Sequence, residues 1–115
     1  MYEQISINFL DKSVKLKVKT TNSFTKFIGL ICRTRFCDNL IFKFKKDTRI
    51  SIHSFFVFFP FLAIWLDSKK KVLDMKIVKP FSLNITPRKN FRTIVEIPIN
   101  DRNKKIISVL FNSPY

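Results

Sequence analysis

Apolar and basic residues alternate without a break over Val14-Lys15-Leu16-Lys17-Val18-Lys19. A period of two sends Val14, Leu16 and Val18 to one side of an extended chain and the lysines to the other, so the stretch predicts a half-buried strand. Residues 4–10 alternate more loosely and predict a strand before it, with Asp11-Lys12-Ser13 as the turn between. The period then changes. Phe24, Phe27, Ile28 and Ile31 recur at helical spacing and form one apolar stripe of about two turns. The residues from Thr20 to Ser23 offer N-caps, and Arg33 and Arg35 suit the negative end of a helix dipole.

Residues 50–66, ISIHSFFVFFPFLAIWL, carry no charge between Arg49 and Asp67 when His53 is neutral. Such a run is either a membrane-spanning helix or a strand covered on both faces. A span needs about 20 apolar residues. Pro60, near the middle, costs a helix about 3 kcal/mol and kinks it. Phe, Ile, Val and Trp suit a pleated surface better. The run therefore predicts a doubly buried strand, interrupted at Pro60 and resuming over residues 61–66.

Residues 40–44, 71–78 and 91–97 predict further strands. Lys45-Lys46-Asp47-Thr48 and Asp67-Ser68-Lys69-Lys70 predict turns, the second closing a hairpin. In residues 91–97, Thr93, Val95 and Ile97 face one way and Arg92, Ile94 and Glu96 the other. Residues 106–111 predict a last short strand or a turn of helix. Residues 1–115 together read as a single, mainly β domain. The expected fold is a small β-sandwich or partly open β-barrel with one short α-helix near residues 22–32.

Composition sharpens this in two ways. Hydrophobic residues make up 46% of the 115, including 14 Phe, which is enough for a Phe-rich core, while a single Gly leaves the turns to Asn, Asp, Ser and Pro. Lys and Arg number 22 against 8 acids, a formal charge of +14. A surface of that sign attracts polyanions: nucleic acid, anionic lipid or an acidic protein. Lys, Ile, Phe and Asn share A/T-rich codons, but codon bias does not explain the shortage of acids. The candidate polyanion contacts are the row Lys15, Lys17 and Lys19, the turn Lys69, Lys70 and Lys71, and the loop Arg88, Lys89 and Arg92, where Phe91 lies among the basic residues. The plainer role of the first row is a solvated face that discourages edge pairing.

Candidate catalytic chemistry is sparse. Cys32 and Cys37 do not form Cys-x-x-Cys, and with His53 as the only histidine they make a poor metal set. Free thiols in a reducing compartment are the expectation, a disulfide requires backbone geometry that allows it, and no cofactor is implied. His53 as a base with Cys32 or Cys37 as nucleophile is the one enzymatic arrangement available, and nothing in the spacing brings them together. The default is a non-enzymatic protein. MYEQISINFLDKS lacks a basic start followed by an apolar stretch, so no signal peptide is expected and the default location is the cytoplasm.

Four segments, in order, resemble a known family. They are Phe27-Ile28-Gly29-Leu30-Ile31-Cys32-Arg33, the run from Ile52 to Pro60, Trp65-Leu66-Asp67 with Lys71-Val72, and Ile94-Val95-Glu96-Ile97-Pro98. They are similar to the segments of the family called domain of unknown function 192, or uncharacterised protein family 0127, in its archaeal form. The resemblance covers about residues 20–100. It implies a small, mainly β fold with a short helix, and it implies no reaction. Leu62 stands where the family commonly has an acid, and Asn100 where it usually has a glycine. Asp67 and Glu96 fit the family pattern and, with His53 and Arg33, make a candidate ligand cleft. Asp67 also suits a hairpin turn, and Glu96 a cross-strand pair with Lys or Arg. Two functions follow as expectations: a non-enzymatic accessory domain that binds a ligand or protein partner, or a non-specific nucleic-acid-binding module.

Overall fold

The computed structural model describes residues 2–10, 12–21, 38–51, 59–79 and 85–111. Their elements are β1 (Tyr2–Phe9), β2 (Lys12–Thr21), β3 (Leu40–Thr48), β4 (Phe61–Leu66), β5 (Val72–Val78), β6 (Phe91–Pro98), a 3-10 turn (Asp101–Asn103) and α1 (Lys104–Phe111). The helix expected near residues 22–32 lies outside the described residues, as does the stretch from Ile52 to Phe58.

The six strands form one sheet in the order β1-β2-β3-β6-β4-β5. Every neighbouring pair is antiparallel except β2 with β3, which runs parallel over Lys19↔Leu40, Thr20↔Ile41 and Thr21↔Phe42. The sheet curls until its two outer strands meet. Asn8 of β1 bridges Lys71, next to β5, and its N–H donates to the Lys70 carbonyl at 2.9 Å. Of the two expected architectures, the structure is therefore the partly open barrel, since a sandwich needs two sheets.

The inner face follows from strand alternation. Ile5, Ile7, Leu16, Val18, Ile41, Leu62, Ile64, Leu66, Val95 and Ile97 form one cluster with Ile107 and Leu110 of α1, which packs against the inside of the curl. Each such side chain contributes about 1.5–3 kcal/mol when fully buried. A second cluster occupies the outer face of β3, β6, β4 and β5 and includes Leu40, Phe42, Phe61, Ala63, Trp65, Phe91 and Ile94. β4 is consequently buried at all six positions, as its unbroken apolar sequence requires. No helix of the described residues is long and apolar enough to cross a membrane.

Three boundaries differ from the sequence expectation. Lys45 to Thr48 belongs to β3 rather than to a turn, because Thr48 pairs with Phe91 beyond a register shift after Lys43. The β1–β2 connection is shorter than Asp11-Lys12-Ser13: Phe9 pairs with Lys12, and Leu10 takes φ 55°. The last apolar segment resolves as helix. Asn100 caps the preceding turn by accepting from the Asn103 N–H, and Asn103 Nδ2 donates to the Pro98 carbonyl at 2.8 Å.

Candidate functional site

The register lays one row of side chains across the outer face. Leu40 of β3 pairs with Glu96 of β6, Glu96 with Ala63 of β4, and Ala63 with Lys76 of β5. Glu96 thus lies between an apolar side chain and a methyl group, not opposite the Lys or Arg expected from a cross-strand pair. Burial pushes its carboxyl from the ordinary 4.5 up to about 7. Among the described residues no side-chain donor pairs with it. Trp65, two residues along β4 from Ala63, is fully buried, and its Nε1–H has no acceptor among the described residues. The Lys76 ammonium lies 6.0 Å from the Trp65 ring centroid and donates to the Thr86 carbonyl at 2.9 Å. Leu62 is buried on the inner face, away from the outer row.

The other candidate cleft residues do not join Glu96. Asp67 closes the β4–β5 hairpin. Its Oδ1 accepts from the N–H of Lys69 at 2.8 Å and of Lys71 at 2.9 Å, and its carbonyl accepts from the Lys70 N–H at 3.0 Å. It follows β4, four positions beyond Ala63, so it lies about 13 Å along the strand from the level of Glu96. His53 and Arg33 lie outside the described residues.

The lysines are arranged differently. Lys15, Lys17 and Lys19 project from the outer face of β2, about 6.8 Å apart along the strand. Opposite them on β1 stand Ser6, Gln4 and Tyr2, and beyond Ser6 stands Asn8. These outward positions of the two strands carry no acid. Tyr2 is fixed at two points. Its hydroxyl donates to Asp38 Oδ2 at 2.7 Å, which raises the phenol's pKa, and the Lys17 ammonium lies 4.8 Å from its ring centroid. The ring still leaves 50% of the residue exposed. Past Asn8 comes the β4–β5 turn, joined by the Lys70 carbonyl and by a 3.5 Å contact from Asn8 Nδ2 to the Lys69 carbonyl. The seam thus brings Lys69 and Lys71 to the Asn8 end of the β2 lysine row, while the half-buried Lys70 lends its charge to Glu3. Glu3 accepts from Lys43 at 2.9 Å and from Thr20 at 2.7 Å, which lowers its pKa.

The third basic group is partly neutralised. Arg92 Nε lies 3.0 Å from Asp47, and Arg88 reaches Asp74 at 3.5 Å. Phe91 is fully buried in the outer-face cluster, so it is unable to stack on a base as its place among basic residues suggested. Lys89 is exposed. Sequence reasoning missed Tyr2, Gln4, Ser6 and Asn8 as members of the basic wall. The loose alternation of residues 4–10 was the only signal for Gln4, Ser6 and Asn8; it does not reach Tyr2, and it says nothing about β5.

The family model of DUF192, described as an uncharacterized ACR, matches residues 4–109. Over 86 residues the chain is 38% identical to a UPF0127 protein of Thermococcus kodakarensis, covering 72% of this chain and 54% of that protein. It is 34% identical over 91 residues to a UPF0127 protein of Pyrococcus furiosus, covering 76% of each. A UPF0127 protein of Thermococcus gammatolerans is 33% identical over 85 residues, or 71% of this chain and 55% of the relative. The chain spans about half the length of these two Thermococcus relatives. No solved structure matches.

Proposed function

The chain belongs to the DUF192 (UPF0127) family, and from that footing we propose a non-catalytic binding module that holds a polyanion against the outer wall of β1 and β2. The observation that carries this is the seam at Asn8, which joins the lysine row of β2 to the lysine turn beside β5. Lysines spread over a flexible chain attract anions weakly; lysines held in one register act together. The test is a titration with labelled single-stranded oligonucleotide at low and at physiological ionic strength. Affinity falls steeply with salt on this reading. An absence of salt-dependent binding even at low ionic strength rejects it.

A second reading is favoured by Glu96 and Trp65. A carboxyl held near 7, on the same outer face as an indole N–H lacking an acceptor among the described residues, suits a small uncharged or cationic ligand there. A melting-temperature panel of amines and polyols at pH 6 and pH 8 tests it. Stabilisation by one member that disappears in Glu96→Gln supports the reading, and a panel with no effect at either pH counts against it.

A further inference from the structure

We infer that the basic wall is a track for single-stranded nucleic acid, with Tyr2 as the base-stacking platform at one end. The inference rests on the polyanion reading above and narrows it to one partner.

Three features favour a single strand over a duplex. The first is curvature. The wall is the outside of a curled sheet in a body only 34 × 33 × 28 Å across. Duplex DNA is stiff over roughly 500 Å and touches such a convex surface only along a short line, whereas a single strand follows it. The second is spacing. Lys15, Lys17 and Lys19 recur every about 6.8 Å along an extended strand. Successive phosphates of an extended single strand match that repeat, with Gln4, Ser6 and Asn8 alongside as hydrogen-bonding groups without charge. The third is Tyr2. Asp38 and Lys17 hold the ring in place while half of the residue remains open to water. A base stacking on it therefore needs little ordering of the side chain. The track runs from Tyr2 along Lys19, Lys17 and Lys15, past Asn8, to Lys71 and Lys69.

Charge alone predicts the opposite preference, because a duplex presents phosphates at higher density. The experiment compares labelled single strands and duplexes of about 12 nucleotides, together with phosphatidylserine vesicles, at two salt concentrations. The single strand is expected to bind more tightly than the duplex. Tyr2→Ala is expected to weaken single-strand binding about 5- to 100-fold with the salt slope unchanged, while Tyr2→Phe retains most of it. Circular dichroism melts confirm that both variants fold. Equal or tighter duplex binding, or an unchanged Tyr2→Ala, overturns the single-strand inference and leaves the polyanion reading standing. Binding to vesicles alone overturns it in favour of a membrane surface. No salt-dependent binding to any of the three overturns both.

Discussion

The main-chain N–H of Asn8 lies 2.9 Å from the carbonyl oxygen of Lys70. With this bond the first and last strands in the sheet order meet, and two sets of lysines far apart in sequence become one surface. Asn8→Pro removes that donor. The expected result is a loss of about 1 kcal/mol or more in urea denaturation, since proline also departs from the strand's φ. Oligonucleotide affinity should fall with it. A variant with unchanged stability and unchanged binding would show that the seam organises nothing.

Glu96 sets a pH dependence whose sign follows from its raised pKa. The carboxyl titrates at about 7 in the fold against an ordinary 4.5. Between those values the unfolded chain releases a proton that the folded chain keeps. Stability therefore falls as pH rises from about 4.5 to 7 and levels off above, by at most about 3 kcal/mol from this group. Glu96→Gln should match the parent near pH 4 and exceed it near pH 8. Urea denaturation across that window measures the difference. A variant less stable than the parent at pH 8 contradicts a half-buried carboxyl without a donor partner among the described residues.

Leu10 occupies the left-handed region at φ 55°, and 76% of it is exposed. An L-residue there costs roughly 1–2 kcal/mol, and little packing offsets it. Leu10→Gly should therefore stabilise the domain by about 1 kcal/mol, a rise of a few degrees in Tm. Leu10→Ala should bring no such gain, because alanine keeps the Cβ. A thermal melt of both variants decides the matter.

Asp67 holds its hairpin through two backbone N–H groups. Asp67→Ala should cost about 1 kcal/mol, and Asp67→Asn, which keeps an acceptor oxygen, should recover most of it. Calorimetric melts of the pair measure this. If both variants are equally destabilised, charge rather than turn geometry is the reason for an acid at this position.

The strands were legible wherever one face differed from the other. Val14 to Lys19 alternates because β2 has lysines in water and apolar residues in the barrel, and residues 61–66 are uniformly apolar because β4 is covered twice. The tail of β3 was not legible, since Lys45, Lys46 and Asp47 are all exposed and carry no period. The final helix stayed ambiguous because the six residues 106–111, apolar but for Ser108, fit either period. Glu96 could be put on the correct face of β6, but alternation cannot reveal that Leu40 and Ala63 flank it. The basic wall was half legible. Its lysine row is local, whereas Asn8 and Lys69 are 61 residues apart and meet only through the curl of the whole sheet.

The salt dependence of single-strand binding tests the central claim most directly. The slope of log affinity against log salt counts the phosphates neutralised, at about 0.7 per contact. Replacing Lys15, Lys17 and Lys19 together by Gln should lower the slope by about 2 if all three contact phosphate. Arg92→Gln should leave it unchanged, because Arg92 is already paired with Asp47. A slope that survives the triple replacement, or one that falls with Arg92→Gln instead, contradicts the account.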